Sequence, residues 1–183
     1  DDLEAEWLAA EEALERDVTS QFPNITSVRV REALEAVGRR RYARTGVSFS
    51  YENALVAEQD GAVIGMAHAY PIGVSDAPSE EADPVLRPYA ELEEPGSLYL
   101  AGLAIEGSYR GLGIGSALMD ATEARAETLG FDRVSTICFA MNTGAYRLYE
   151  RRGYVAKDRR ALVPHPTLRY ASGDAVLLVK AFG

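Results

Sequence analysis

The stretch Arg110-Gly111-Leu112-Gly113-Ile114-Gly115-Ser116 decides how the rest of this chain is interpreted. The apolar residues 98–105 before it have the length of a β-strand, and the residues after it follow a helical pattern. A strand therefore enters a glycine-rich loop, and the loop opens a helix. Glycine tolerates positive φ and close backbone approach, while the first helical turn offers unpaired N–H groups at the positive end of the helix dipole. Together these features predict an anion site, most naturally for phosphate.

Three kinds of phosphate-binding loop can be compared with this stretch. A Walker loop ends in Gly-Lys-Ser/Thr, whereas the matching end here is Gly113-Ile114-Gly115-Ser116, without lysine. A dinucleotide fingerprint has the order G-x-G-x-x-G, whereas the glycines here alternate. A third pattern, Gln/Arg-x-x-Gly-x-Gly/Ala, is met by Arg110, Gly113 and Gly115. A tight strand-to-helix turn that merely needs glycine is the alternative to all three.

A second motif follows after an intervening apolar strand candidate at 133–139. It combines an asparagine, an alanine three residues later, a Leu-Tyr pair and a final Gly-Tyr pair: Asn142, Ala145, Leu148-Tyr149 and Gly153-Tyr154. Together with the glycine loop, this segment resembles the GNAT superfamily of N-acetyltransferases. The resemblance covers roughly residues 54–180, and no strand is visible before the first helix where the family usually has one.

The resemblance implies an α/β (α+β) fold with a mixed, mostly antiparallel sheet of six to seven strands and about four helices. The sheet would splay at its two central parallel strands, 98–105 and 133–139. Apolar spacing predicts helices at 2–18 and 28–42, and a hairpin pairs 53–58 with 62–70 around Asp60-Gly61. The helix after the glycine loop is predicted to bury Ala117, Leu118, Ala121 and Ala124.

The last third of the chain continues the alternation of helix and strand. A short helix is predicted at 142–152, a strand begins at 154–157, residues 159–173 are irregular, and a strand at 174–180 closes the chain. A length of 183 residues suits one domain, so we expect a single N-acetyltransferase domain over 1–183. An acidic, proline-containing insertion at 71–97 lies within it, either as a wall for an amine acceptor or as a mobile solvated flap.

Composition narrows the partners and the compartment. The net charge of −9 disfavours nucleic acid and mildly favours a cationic partner, although solubility alone is the simpler reason for such a charge. No apolar run approaches the ~20 residues needed to span a bilayer. The single Cys138 excludes an internal disulfide, and with two histidines it forms no metal-ligand cluster. We therefore expect a cytoplasmic protein with no nucleic acid, membrane or metal partner, and a homodimer is possible by analogy with the family.

Acetyl-CoA (coenzyme A) is the co-substrate that the resemblance implies. Its pantetheine arm would lie in the splay against the backbone of Leu103 and Ile105, and its pyrophosphate would lie on N–H groups of the glycine loop. The predicted cofactor-binding residues are Leu103, Ala104, Ile105, Arg110, Gly111, Leu112, Gly113, Ile114, Gly115, Ser116, Asn142, Ala145 and Tyr149. A backbone N–H near Leu103 could also stabilise the oxyanion of the reacting thioester.

The implied reaction is transfer of an acetyl group to a primary amine of a small molecule or protein, by direct attack in a ternary complex. Tyr149 is the predicted general acid for the departing thiolate, with a packed core tyrosine as the alternative. Asn142 is either a pantetheine contact or a helix N-cap, and both can hold. The general base is predicted among five residues, with Glu94 first because it lies nearest the central strand: Glu91, Glu93, Glu94, Tyr99 and His165. A different class of function, a non-catalytic acyl-CoA-binding sensor or assembly module, would use the same cleft.

Overall fold

The computed structural model describes residues 36, 38–74, 81, 83–165, 170 and 172–182. The chain divides into two compact units, residues 1–53 and 54–183. In the first unit, residues 38–42 are helical, as predicted, and the guanidinium of Arg41 lies 3.8 Å from the ring centroid of Phe49. The predicted helix at 2–18 lies outside the described residues.

The second unit is built on a mixed sheet of six strands in the order β1-β2-β3-β4-β6-β5. The strands are β1 (Ala54–Gln59), β2 (Ala62–Ile72), β3 (Ser97–Ile105), β4 (Arg133–Phe139), β5 (Val155–Ala161) and β6 (Asp174–Ala181). The helices of this unit are α1 (Arg87–Ala90), α2 (Ile114–Thr128) and α3 (Thr143–Arg151), with a short 3-10 turn at Gly107–Tyr109. A second 3-10 turn, Tyr51–Asn53, belongs to the first unit. The predicted fold class, a mostly antiparallel sheet with one parallel pair, is confirmed.

The β1–β2 hairpin forms where the Asp-Gly pair predicts it. Asp60 and Gly61 have φ of 53° and 78°, the two positive angles that a tight two-residue hairpin turn needs. On its other edge, β2 pairs antiparallel with β3 until the register slips: His68 pairs with Gly102 and Ala69 pairs with Leu100. Ala101 is therefore left over as a bulge in the middle of β3.

Strands β3 and β4 meet over a short contact that we call the parallel joint. Within these two fully described strands, the paired residues are Leu98 with Val134 and Tyr99 with Ser135. The remaining residues of β3, toward Ile105, diverge from β4 and create the predicted splay. Each side of the joint is a set of antiparallel strands, β1-β2-β3 and β4-β6-β5.

Helix α2 covers one face of the sheet. Its buried residues are Leu118, Met119, Thr122 and Ala126. The three apolar ones pack with Leu98, Leu100 and Val134 in the main core. Burying a leucine or methionine fully is worth about 1.5–3 kcal/mol. The predicted face of α2 is wrong for the alanines: Ala117, Ala121 and Ala124 are exposed. Alanine is small enough to lie on either the buried or the exposed face of a helix, so the spacing of apolar residues alone indicated the wrong buried face.

The end of strand β5 differs from the sequence-based prediction. Strand β5 continues to Ala161 through the charged residues 157–160, whereas the sequence predicted the start of a strand at 154–157 and an irregular stretch from 159. An edge strand can carry charged side chains because both of its faces reach water.

In the predicted insertion 71–97, Leu92 is 1% exposed and belongs to a second core cluster with Leu162, Ala175 and Leu177. The described end of the insertion is therefore packed on the sheet and is not a solvated flap.

Candidate functional site

The splay beyond the parallel joint opens a cleft of about 820 Å³ between the end of β3, the start of α2 and helix α3. One edge of β3 is occupied by β2 as far as Ile105. On the other edge, β3 pairs with no residue of β4 beyond Tyr99, so its backbone near Leu103 can meet a partner that enters the cleft. The carbonyls of Leu100 and Ile105 already accept hydrogen bonds, from Thr136 Oγ1 and Arg110 Nε. Main-chain donors and acceptors that are removed from a ladder need such a partner.

The glycine loop closes one end of the cleft. Gly111 and Gly113 have φ of 79° and 84°, and Gly113 is the residue that precedes the first turn of α2. The first intrahelical hydrogen bond of that turn runs from Ala117 N to Gly113 O at 3.0 Å. The N–H groups of Ile114, Gly115 and Ser116 therefore point out of the helix, as the anion-site prediction requires.

Close packing fixes how the loop meets α3. A Cβ at Gly115 would lie 3.6 Å from Cδ2 of Leu148 and 4.0 Å from Ile105, so the start of α2 lies directly against α3. Arg110 also ties the loop to β3, because its Nε donates to the carbonyl of Ile105 at 3.4 Å. The backbone N–H groups and the Arg110 guanidinium that could hold a diphosphate therefore belong to a strand-loop-helix connection that packs closely against α3.

The structure brings almost all of the predicted cofactor-binding residues to this cleft. Twelve of the thirteen line it; Leu112 does not, and its side chain is 69% exposed at the tip of the loop. The cleft is also lined by Tyr109, Gly144, Leu148 and Arg151, which sequence reasoning missed. Leu148 was already part of the second motif, and Arg151 lies one helical turn after Arg147 in α3. Leu148 was therefore found by its motif but given no role in the cleft, and no sequence signal singled out Arg151.

Asn142 has the capping role that was predicted for it. Its side-chain oxygen accepts a hydrogen bond from Ala145 N at 3.4 Å and caps α3. The same residue lines the cleft. A contact with a bound pantetheine stays a prediction.

Tyr149 lies on the buried face of α3 and is 7% exposed, yet it reaches the cleft. Its ring packs against Tyr154 with centroids 5.6 Å apart. Burial raises the pKa of Tyr149 above the ordinary value, and the neighbouring hydroxyl of Thr136 on β4 partly opposes that effect. The phenol is therefore protonated at neutral pH, which is the state that a general acid needs.

Cys138 was interpreted as an apolar filler, and its surroundings agree. The thiol is 3% exposed in the main core, and burial raises its pKa to about 11. A thiol that stays protonated at neutral pH is a poor nucleophile.

Glu94 is not brought to the cleft. It is 5% exposed and precedes the start of β3, and β3 is roughly 26 Å long from Ser97 to the loop end by its residue rise. Its carboxylate accepts from Lys157 Nζ at 2.6 Å and from Arg133 Nη1 at 3.2 Å. These contacts favour a structural role, in which Glu94 fixes the starts of β3 and β4, over the predicted role of general base.

The other candidate bases are also placed elsewhere. All five lie in the described part of the chain, and none is among the residues that line the cleft. Glu91 forms an ion pair with Arg160 at 2.8 Å. Burial raises the pKa of Tyr99, next to Tyr70, so its phenol is suited to donating hydrogen bonds rather than accepting a proton.

Metal centres and membrane-spanning helices are both absent from the part of the chain that the structure describes. No group of three or more histidine, cysteine, aspartate or glutamate side chains in that part could hold a metal ion. Among the helices described, none combines the length and the apolar character that a membrane crossing requires.

Comparison with known proteins gives a consistent result. The model of the acetyltransferase (GNAT) family matches residues 10–154. A crystal structure of an acetyltransferase is similar over 99% of this chain and 96% of its own, with 21% identity and a TM-score of 0.60. No curated protein sequence matches the chain significantly.

Two further solved structures share the fold with ligands named in their descriptions. A GNAT family acetyltransferase from Elizabethkingia anophelis with acetyl-CoA bound matches at 17% identity, 70% and 75% coverage of the two chains, and a TM-score of 0.54. Naa20 from Chaetomium thermophilum, in complex with a bisubstrate analogue, matches at 21% identity, 79% and 70% coverage, and a TM-score of 0.54. At these identities the likenesses establish the fold.

Proposed function

Because this chain belongs to the GNAT acetyltransferase family, we propose that it is an acetyl-CoA-dependent N-acetyltransferase that acetylates a primary amine. The observation that carries this proposal is the cleft itself: a two-pair parallel joint opens toward a glycine loop at a helix start, with Tyr149 beside it. The acetyl-CoA named for the Elizabethkingia relative is consistent with such a cleft.

The residues present fit coenzyme A in size and chemistry. The cleft holds about 820 Å³ and is open along one side of β3, where an extended amide chain could pair with the backbone near Leu103 and Ile105. At the loop end, the N–H groups of α2 and the guanidinium of Arg110 would hold a diphosphate. When bound, acetyl-CoA supplies an activated acetyl group as a thioester.

The chain itself contributes orientation and a proton. Backbone groups of β3 and the glycine loop would fix the donor, and Tyr149 would give its phenolic proton to the sulfur that leaves as the amine nitrogen bonds to the acetyl carbon. A positioned general acid contributes about 10²–10⁴-fold to such a step. The acceptor amine, which must arrive unprotonated, completes a ternary complex.

The proposal also covers the acceptor and the setting in which the enzyme works. The acceptor is a small-molecule or protein amine, and the net charge of −9 favours one that carries further positive charge. The bisubstrate analogue named for the Naa20 relative is compatible with direct transfer between two bound substrates. We further propose one functional domain over 1–183, in the cytoplasm, with no metal, nucleic acid or membrane partner and with a homodimer as one possible assembly.

The first test is thermal melting with and without acetyl-CoA. At ~100 Kd of ligand, specific binding should add roughly 2.7 kcal/mol of stability. We expect coenzyme A to compete with this shift and adenosine alone to have no effect. An unchanged melting temperature would mean that the glycine loop is only a turn, and the proposal would fail.

Turnover then separates an enzyme from a binding module. Release of free coenzyme A is measured against a panel of amines, and Tyr149→Phe should lower kcat about 10²–10⁴-fold while acetyl-CoA still raises the melting temperature. Tyr146→Phe is the matched control, because Tyr146 lies on the same helix outside the cleft lining and should keep the wild-type rate. Binding without turnover by any amine would favour the non-catalytic acyl-CoA-binding module.

A further inference from the structure

The residues that line the cleft carry an excess of positive charge. Sixteen described residues line it, and the charged ones among them are two arginines, Arg110 and Arg151, with no aspartate, glutamate or lysine. The chain as a whole has 28 acidic and 19 basic side chains, so the cleft lining has the opposite sign to the protein. A lining with two cations and no carboxylate favours a ligand that carries several negative charges.

The two arginines lie on different sides of the start of α2. That start lies between β3 and α3, since a Cβ at Gly115 would lie 4.0 Å from Ile105 and 3.6 Å from Leu148. Arg110 is held on the β3 side by its hydrogen bond to the carbonyl of Ile105. Arg151 is three residues after Leu148, so it follows on the same side of α3, roughly 4.5 Å further along the helix axis. The outward N–H groups of α2 therefore have one arginine toward β3 and another toward α3.

Of the arginines at 147, 151 and 152, Arg151 is the one that faces the cleft without a partner. Arg152 donates to Asp120 and, at 3.3 Å, to Glu123, so its charge is compensated by carboxylates of α2. Arg147 is exposed and lies outside the cleft lining. Arg151 lines the cleft, is exposed to solvent, and forms no ion pair with any carboxylate in the part of the chain that the structure describes. Arg151 is therefore the cation of this helix that is placed to meet an incoming anion.

We propose that Arg151 is a specificity-determining residue that binds the phosphate monoester on the ribose of coenzyme A. This inference rests on the proposed function, because it takes coenzyme A as the ligand. The diphosphate already has the N–H groups of α2 and the guanidinium of Arg110. The ribose phosphate adds about −1.5 to −2 charge at pH 7 and needs a cation of its own. Arg151 supplies that cation on the other side of α2 from Arg110, and a guanidinium can bind a phosphate through two parallel hydrogen bonds.

The test compares coenzyme A with dephospho-coenzyme A, which lacks only the ribose phosphate, by calorimetric titration of the full chain. Wild type should bind coenzyme A about tenfold more tightly, as one charge-assisted contact at an exposed site would give. Arg151→Gln should weaken coenzyme A binding by about that factor and leave dephospho-coenzyme A binding within about twofold of wild type. Arg151→Lys should keep part of the preference, because an ammonium binds phosphate as a point charge without the paired contact.

Arg147→Gln is the matched control. It removes the same charge from the same helix, but from a residue outside the cleft lining, so the ratio of the two affinities should stay at its wild-type value. Melting curves without ligand check that each variant folds, which we expect because Arg151 is exposed.

The outcomes separate this inference from the proposed function. Equal binding of the two compounds by wild type, or a preference that survives in Arg151→Gln, would overturn the role of Arg151 and leave the proposed function standing. An equal loss of affinity for both compounds in Arg151→Gln would also overturn it, because Arg151 would then act on the diphosphate. If wild type bound neither compound, the proposed function would fail and this inference with it. A preference that depends on Arg151, in a protein that releases coenzyme A with no amine, would support the inference and favour the non-catalytic binding module.

Discussion

At the residue scale, two glutamates that look alike in the sequence have different surroundings in the fold. Glu91 and Glu94 are three residues apart in the same acidic segment. Glu91 is exposed in its ion pair with Arg160, whereas Glu94 is buried between Arg133 and Lys157. Exposed pairs contribute about 0–1 kcal/mol, but a buried carboxylate that loses its charge leaves its partners uncompensated.

Glu94→Gln tests whether this residue is structural or catalytic. We expect it to lower the free energy of unfolding by about 1–2 kcal/mol, because a charge-assisted contact is lost while its cationic partners stay partly solvated. Its kcat and its pH–rate profile should match wild type. Urea denaturation and steady-state rates give the two numbers, with Glu91→Gln as a control that changes neither. A large loss of kcat at unchanged stability would restore Glu94 as the general base.

At the scale of elements, the connection from β3 to α2 has two different kinds of glycine. Gly113 has a φ of 84°, in the left-handed region that L side chains adopt at a cost of roughly 1–2 kcal/mol. Gly107 belongs to the 3-10 turn of the same connection, has no positive φ, and leaves open space where a Cβ would be, with no atom within 4 Å. The first is required by the geometry of the loop, and the second is not.

Substitution by alanine should therefore separate the two glycines. Gly113→Ala should destabilise the protein by roughly 1–2 kcal/mol and weaken acetyl-CoA binding, since the strain displaces the N–H groups of α2. Gly107→Ala should leave both quantities near wild type. Urea denaturation and calorimetric titration measure them, and tight acetyl-CoA binding by Gly113→Ala would contradict the assignment of the loop as the diphosphate site.

The elements themselves were largely predictable because their signals are local. The Asp60-Gly61 turn, the strand that runs into the glycine loop and the asparagine cap of α3 each depend on a few neighbouring residues. The bulge at Ala101, the length of the parallel joint and the ion pairs of Glu94 depend on residues 39 to 63 positions apart, or on strands that pair only in the folded sheet. Nothing local encodes them, so the sequence indicated most of the residues that line the cleft but not the ion pairs that hold Glu94 away from it.

At the scale of the whole molecule, several ionisable groups are buried in neutral form. Burial raises the pKa of the Cys138 thiol to about 11 and raises the pKa values of the phenols of Tyr99, Tyr149 and Tyr154. In the unfolded chain these groups return to ordinary values near 9 for the thiol and 10 for the phenols. The unfolded state therefore releases protons first as the pH rises.

The contribution of these groups to the free energy of unfolding should thus be constant up to about pH 8 and fall above it, as the pH rises through the unfolded pKa of the thiol and then those of the phenols. The folded state binds more protons than the unfolded state in this range, and each such group contributes at most about 1.4 kcal/mol per pH unit. Urea denaturation at pH 7.5, 9 and 10.5 measures the loss in wild type, and Cys138→Ala should show a smaller one between pH 7.5 and 10.5. A free energy of unfolding that does not change up to pH 10.5 would show that folding does not raise the pKa values of these groups.

The parallel joint also has a consequence for the order in which the chain assembles. Every other pairing in the sheet joins antiparallel strands, and β1-β2-β3 follow one another directly along the chain. The joint connects residues 36 positions apart through two pairs, with the Thr136–Leu100 bond at the same separation. Contacts that close long loops form slowly and are rewarded late. The pairing of β4 with β6 spans 36 to 48 positions, but seven residue pairs stabilise it, whereas only two pairs stabilise the joint. The joint therefore gains least from closing its loop and is expected to form last, so that the cleft is the final feature of the fold to be completed.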